Sequence, residues 1–194
     1  MQLPKMATVK QHFAATSLDD VAGEVRSQLA AAGLADAIAP GARIAVSSGS
    51  RGIANIPLIT RTVVDCVKAA GGEPFLLPAM GSHGGATAEG QIAVLASYGI
   101  TEESMGCPVE STMDVVEVDQ LADGTPVLLN RLATEADGVL LINRIKPHTS
   151  FRGVFESGLM KMMTIGLGSH KGATIAHAGG AESLARLIPA WGQA

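Results

Sequence analysis

The chain has 194 residues, of which 47% are hydrophobic and 16% are charged, and its formal net charge at pH 7 is −4. This composition is typical of a folded domain with a substantial buried core. The acidic balance, the lack of a lysine- and arginine-rich run and an aromatic content of 3% argue against nucleic acid or a membrane surface as a partner. With no secretory signal pattern and no C-x-x-C pair, we expect a cytoplasmic protein with reduced thiols.

Helices and strands are predicted to alternate along the first half of the chain. Ser17 is the expected N-cap of a first helix, with Asp20 at the capping-box position, and Gly33 is expected to end it. The apolar run ARIAVSS predicts a strand, and Asn55 is expected to cap the helix that follows. PFLLPAM predicts the next strand, and Thr87 the cap of a third helix.

The second half continues with shorter elements. MDVVEV and TPVLL predict two strands joined by a turn at Asp123-Gly124, and GVLLINRI predicts a later strand after one helical turn. Strands that are apolar throughout and alternate with helices indicate a parallel sheet that is covered on both faces. We therefore expect an α/β fold with a Rossmann-like, mostly parallel sheet and helices on both faces.

The end of the chain, ESLARLIPAWGQA, predicts a helix cut short near Pro189. We accordingly expect residues 1–194 to form one domain that is the first part of a longer polypeptide. No internal repeat and no low-complexity linker divides it further.

Three of the predicted strands end in polar loops: GSRG, GSHGGAT and RIKPH. In an open parallel sheet the carboxyl ends of the strands lie along one edge, where ligands bind, so Arg51, His83 and His148 are expected to converge. The glycines of GSHGGAT and the helix after it also predict an anion-binding turn, at which Gly84 and Thr87 would contact a cofactor. An ordinary strand-to-helix turn that needs glycine for its geometry is the alternative.

Two further side chains have the chemistry of a reactive site. Lys161 lies within Leu-Met-Lys-Met-Met, and burial favours its neutral, nucleophilic amine, although a lysine on an amphipathic helix can also extend to the surface. His170 and His177 would share one face of a continuous helix. A single imidazole can bind a metal whose other ligands come from a cofactor.

Together, GSHGGAT, KPHTSFRGVFESGLMK and a histidine sixteen residues after that lysine resemble the nickel-dependent lactate racemase family. The resemblance extends from about residue 41 to the end of the chain. It implies a pincer-shaped nucleotide, pyridinium-3,5-bisthiocarboxylic acid mononucleotide, attached to Lys161 through a thioamide. It also implies that His177 binds the nickel ion, and that this chain corresponds to the family's N-terminal domain without its second domain.

The same resemblance implies the activity. His83 and His148 would be the paired acid/base residues, one for each enantiomer of a 2-hydroxy acid, while hydride moves to and from the cofactor. Arg51 would contact the substrate carboxylate or the cofactor phosphate. The expected partner is a small 2-hydroxy acid, and self-association into a homo-oligomer is left open.

Two other functions are compatible with the sequence. One is a non-catalytic module of the same fold that binds a nucleotide or anion at GSHGGAT. The other is a nickel-independent transferase that handles phosphate groups with the same glycine turns. The racemase needs both Lys161 and His177, whereas neither alternative needs them.

Overall fold

A parallel sheet of three strands lies at the centre of the fold. The computed structural model describes residues 6–13 and 16–194. The strands are β1 (Arg43–Ser48), β2 (Glu73–Pro78), β3 (Val115–Gln120), β4 (Pro126–Asn130) and β5 (Gly138–Leu141). The order in the central sheet is β2-β1-β5, and both outer strands run parallel to β1. The predicted α/β fold with a mostly parallel sheet is confirmed.

Helices surround this sheet. They are α1 (Val21–Ala31), α2 (Leu34–Ala37), α3 (Ile56–Ala69), α4 (Ala88–Ser97), α5 (Glu102–Met105), α6 (Arg131–Thr134), α7 (Gly158–Lys161), α8 (Ser169–His177) and α9 (Gly180–Gln193). A 3₁₀ turn occupies Gly84–Ala86, and a π-helical turn, Met162–Gly166, joins α7 to α8. Within the described part of the chain, no helix has both the length and the apolar character needed to cross a bilayer.

The two faces of the sheet are buried against different helices. Side chains alternate along a strand, so Val46 of β1 packs in the cluster that contains Val64 of α3. Phe75 and Leu77 of β2 point the other way and pack in a cluster with Met162 of the π-helical turn. The expected cover on both faces is therefore present, and it brings the segment after Lys161 against the sheet.

The predicted hairpin is confirmed as a second, antiparallel sheet of β3 and β4. Its turn is closed by the Leu121 N–H, which donates to the Thr125 carbonyl at 2.9 Å, and by the Gly124 N–H, which donates to the Leu121 carbonyl at 2.8 Å. Val127 of β4 packs against Trp191 of α9. The hairpin thus packs against the last helix, and through Leu129 it also packs against the cluster that contains Phe75 and Leu77 of the central sheet.

Helix starts follow the predictions only in part. The prediction that Ser17 caps α1 is wrong: Asp20 is the N-cap, because its carboxylate accepts the Gly23 N–H at 2.8 Å. Asn55 does precede α3 at the N-cap position, but its backbone is left-handed, with a φ of 60°, and its side chain makes no cap hydrogen bond. Thr87 caps α4 as predicted and accepts the Gly90 N–H at 3.1 Å.

The predicted end of the last helix near Pro189 is also wrong, because α9 continues to Gln193. A proline inside a helix costs about 3 kcal/mol. Leu187, Ile188 and Trp191 are all buried on one side of α9, and burial of each such side chain contributes roughly 1.5–3 kcal/mol. The buried face therefore outweighs the proline.

Strand β5 is shorter than predicted. It ends at Leu141, which is opposite Ser47, near the end of β1. The next N–H, that of Ile142, donates to the Ser47 side-chain oxygen at 3.3 Å and not to a strand backbone. Residues 142–157 consequently leave the sheet as an irregular loop at its carboxyl edge.

Candidate functional site

A cleft with a volume of about 600 Å³ opens at the carboxyl edge of the central sheet. Its walls are the loops that follow β1, β2 and β5, together with α7, the π-helical turn and the end of α8. This is the edge at which the sequence predicts a ligand site, because all three parallel strands end there. A cleft of this size holds a ligand as large as a nucleotide.

Most of the predicted site residues line this cleft. They are Arg51, His83, His148, Lys161 and His177. The convergence expected of three separate loops is therefore present, and the α7–α8 segment adds the lysine and the third histidine.

Gly84 and Thr87 lie outside the lining of the cleft. The Thr87 hydroxyl is used in the cap of α4 and donates to the Gly84 carbonyl at 3.3 Å. A Cβ on Gly84 would come within 2.7 Å of the Gln91 nitrogen, so glycine is required here by the close approach to α4. Their predicted cofactor contacts stay a prediction, since the observed contacts of both residues are structural.

A close crossing of backbones places Lys161 beside the loop of His83. The Gly81 N–H donates to the Gly166 carbonyl at 3.3 Å. Gly166 lies so near the end of β2 that a Cβ there would be 2.8 Å from the Ala79 carbonyl oxygen. The π-helical turn that begins directly after Lys161 ends at this contact, and such turns often occur at functional sites.

His83 is held by contacts on both its ring and its backbone. Its Nδ1 makes a short contact with the Ser50 hydroxyl, and the Ser50 carbonyl accepts the Tyr98 hydroxyl at 2.7 Å. Gln91 is buried and donates through Nε2 to the carbonyls of Gly81, at 3.0 Å, and His83, at 3.4 Å. The loops after β1 and β2 are thereby joined across the cleft floor.

His148 comes from the irregular loop after β5. The backbone N–H of Ser150 donates to His148 Nδ1 at 3.2 Å, so the neutral ring carries its proton on Nε2. Phe151 lies against the ring, with centroids 4.3 Å apart and an interplanar angle of 40°. Phe151 is only 4% exposed and packs against α8 and α9, which anchors the imidazole to the rest of the fold.

His177 has the opposite tautomer. It lies at the end of α8, which is one continuous helix from Ser169, so His170 and His177 do belong to the same helix. The His177 Nδ1–H donates to the Ala173 carbonyl at 2.6 Å, so in the neutral ring the lone pair is on Nε2. Metal-binding histidines commonly have this arrangement, because the second hydrogen bond orients the ring.

Burial and the positive charges of the cleft lower several pKa values. Burial lowers the pKa of Lys161, and the nearby cations of Lys146 and Arg51 lower it further. Burial also lowers the pKa of both His83 and His148, and the Lys161 ammonium adds to the effect in each case. The two imidazoles are therefore neutral at pH 7, and the lysine amine is more nucleophilic than an exposed one.

Several residues that line the cleft were not singled out from the sequence, and four of them bear on its charge or on its histidines. Arg144 and Lys146 add two cations, Ser50 contacts His83, and Glu156 accepts the His148 N–H at 2.8 Å. Arg144 and Lys146 precede His148 in the motif RIKPH, so their proximity to it was a readable signal. Nothing in the sequence pattern indicates the contact of Glu156, because it depends on how the loop folds back.

A family model described as the lactate racemase N-terminal domain matches residues 6–186. The chain belongs to the lactate racemase family. The match covers the central sheet, the hairpin and every segment that lines the cleft. No curated protein and no solved structure matches the chain.

The donor atoms of this lactate racemase family domain limit how it could bind a metal. Among the residues that the structure describes, no group of three or more histidine, cysteine, aspartate or glutamate side chains is arranged around a common point. A metal ion at His177 would therefore need most of its ligands from a bound molecule. A lysine amine in the same cleft offers a place where such a molecule could be attached.

Proposed function

We propose that this chain is the cofactor-bearing domain of a racemase or epimerase that acts on a small 2-hydroxy acid, with a nickel-pincer nucleotide attached at Lys161. The observation that carries the proposal is that Lys161, His177, His83 and His148 line one cleft in a member of the lactate racemase family. A binding module or a phosphate-handling transferase would not need this combination.

The residues of the cleft fit the nucleotide chemically. Lys161 is partly buried, and among the described residues no carboxylate forms an ion pair with its ammonium, so the amine is available for acylation. The neutral ring of His177, with its proton on Nδ1, offers the Nε2 lone pair, which suits a single protein ligand to nickel. A nickel ion held by the nucleotide would need only this one imidazole from the protein.

The charges of the cleft fit as well. Once Lys161 is acylated it is uncharged, and the cations left in the lining are Arg51, Arg144 and Lys146. These three cations outnumber the one carboxylate among the described residues of the lining, Glu156, so the cleft attracts anions such as a phosphate monoester, with a charge of about −2 at pH 7, or a substrate carboxylate. We therefore assign phosphate and carboxylate binding to this group of side chains.

The two histidines handle the proton of the substrate hydroxyl. When bound, the nickel-pincer nucleotide supplies a reversible hydride acceptor, so that no carbanion has to form at C2. His83 and His148 reach the cleft from different strand ends, and each would accept the hydroxyl proton of one enantiomer and return it to the other. Their lowered pKa values keep them neutral, as a base at pH 7 requires.

A deuterium-labelled substrate tests this proposal. The chain, purified from cells that make the cofactor, is incubated with single enantiomers of 2-hydroxy acids deuterated at C2, and the products are separated on a chiral column. We expect interconversion with deuterium retained at C2. Interconversion with loss of the label to solvent would contradict hydride transfer. If the fully loaded enzyme interconverts none of a panel of 2-hydroxy acids, the proposed function is contradicted.

Histidine variants give the matched controls. His83→Ala and His148→Ala are each expected to keep the attached cofactor and to lose about 10²-fold or more of the interconversion rate. His170→Ala, which removes an exposed histidine outside the cleft, is expected to match the parent. Full activity in either of the first two variants would remove that histidine from the mechanism.

A further inference from the structure

His148 lies in the irregular loop 142–157, where the backbone has no strand or helix to hold it. Its polar backbone atoms are nevertheless both engaged. The N–H donates to Glu156 Oε2 at 2.8 Å, and the carbonyl accepts Arg152 Nη1 at 2.7 Å. Hydrogen bonds within the loop therefore fix the backbone of the residue that faces the cleft.

Glu156 is the main hydrogen-bond acceptor in this part of the loop. Its second oxygen, Oε1, accepts the Gly153 N–H at 3.3 Å, and Arg152 Nη1 lies 3.6 Å from Oε2. The Glu156 side chain is 17% exposed, whereas that of Arg152 is 75% exposed. A shielded carboxylate that accepts backbone N–H groups contributes more than an exposed ion pair, so the carboxylate is the important half of the pair.

The ring of His148 depends on the same loop conformation. Its stacking on Phe151 and its Nδ1 contact with the Ser150 N–H both require that residues 148–151 turn as they do. Glu156 closes that turn from eight residues away through the backbone of His148. Without this acceptor, the partly buried N–H would be left unpaired and the loop would have to rearrange.

We propose that Glu156 is a positioning residue, whose carboxylate holds the backbone of His148 so that the imidazole faces the cleft with its proton on Nε2. The inference rests on the proposed function only for the consequence in catalysis. The role itself concerns the loop and can be measured on the chain without cofactor. A reacting group displaced by about 1 Å can lose roughly 10² in rate, so the effect on turnover should be large.

The first test reads the histidine rings directly. The chain is labelled with ¹⁵N-histidine, and the ring nitrogen shifts are compared for the parent, Glu156→Ala, Glu156→Gln and the control Glu135→Ala, which changes an exposed carboxylate outside the cleft. In the parent and the control, we expect a single Nε2–H tautomer for His148. In Glu156→Ala, we expect a mixture of tautomers, and in Glu156→Gln, which keeps an acceptor oxygen, a return to the parent signal.

His177 serves as an internal control for folding. Its Nδ1–H tautomer depends on the Ala173 carbonyl in α8 and should be unchanged in all four proteins. If the His148 tautomer in Glu156→Ala equals that of the parent while His177 is also unchanged, the positioning role is overturned. If Glu156→Ala does not fold, the result for Glu156→Gln decides, since a parent-like ring signal there supports the role and a mixed tautomer overturns it.

The second test measures turnover in the loaded enzyme. Glu156→Ala is expected to lower kcat by about 10- to 100-fold with a smaller change in KM, and Glu156→Gln should recover most of kcat. Unchanged kcat in a Glu156→Ala enzyme that retains its cofactor would overturn the role. A disturbed His148 ring in a protein that racemises no 2-hydroxy acid would instead contradict the proposed function and support the positioning role.

Discussion

Gly166→Ala is expected to destabilise the protein, because the contact between Gly166 and the end of β2 joins the segment after Lys161 to the sheet. A Cβ at this position would lie 2.5 Å from Met162 Sδ and 2.8 Å from the Ala79 carbonyl oxygen. Ordinary contacts between heavy atoms are about 3.5–4.0 Å. The methionine can move aside, but the carbonyl is part of the backbone at the end of β2 and cannot.

The cost of Gly166→Ala follows from these contacts. Overpacking of a buried site costs about 1–3 kcal/mol, and loss of the Gly81–Gly166 hydrogen bond costs about 1 kcal/mol more. Replacement of glycine by alanine in a helical turn returns roughly 1 kcal/mol. We therefore expect the free energy of unfolding to fall by about 1–3 kcal/mol, which lowers Tm by roughly 2–12 °C for a chain of this size. Urea and thermal unfolding measure both quantities.

Gly124→Ala is the control for this variant. Gly124 has a φ of 81° in the β3–β4 turn, and a Cβ added there would meet no heavy atom within 4 Å, so alanine costs about 1–2 kcal/mol through backbone strain alone. The two variants should be destabilised to a similar extent, but only Gly166→Ala should shift the ring signals of His83 and His177. A Gly166→Ala protein as stable as the parent, with unchanged ring signals, would refute the close crossing.

Two further predictions concern single side chains near the cleft. Lys161→Ala removes a positive charge that lowers the pKa of both His83 and His148. The NMR titration midpoints of both imidazoles should therefore move to higher pH. If neither midpoint moves, the ammonium is remote from both rings. Thr87→Ala removes the acceptor for the Gly90 N–H and should lower the free energy of unfolding, measured by urea denaturation, by about 1 kcal/mol. Cofactor attachment should be unchanged. A loss of attachment would instead support the predicted contact of Thr87 with the cofactor.

Much of the fold could be predicted because the local hydrophobic patterns indicate the same strands and helices that the sheet contains. The apolar runs that became β1 and β2 are buried on both faces, and their neighbours in sequence are helices, so a parallel arrangement was the consistent solution. Helix and strand ends were harder. The length of β5 is limited by its partner β1, and the continuation of α9 past Pro189 depends on a buried face that forms only in the folded chain.

The candidate site, like the fold, could be predicted only in part. Glycine, histidine and proline after apolar runs indicated which loops reach the carboxyl edge, and the structure brings Arg51, His83 and His148 together there. The tautomers of His148 and His177 could not be predicted, because each depends on one backbone partner, at Ser150 or Ala173. Contacts of side chains with distant backbone atoms leave no periodic signal in a sequence.

The most direct test of the account is the intact mass and nickel content of the chain purified from cells that make the cofactor. We expect one covalent adduct of the mass of the pincer nucleotide and about one nickel ion per chain in the parent and in the control Lys171→Ala, an exposed lysine on α8. Lys161→Ala should have neither. An unmodified parent chain from such cells, or an adduct that persists in Lys161→Ala, would contradict the claim that Lys161 carries the cofactor.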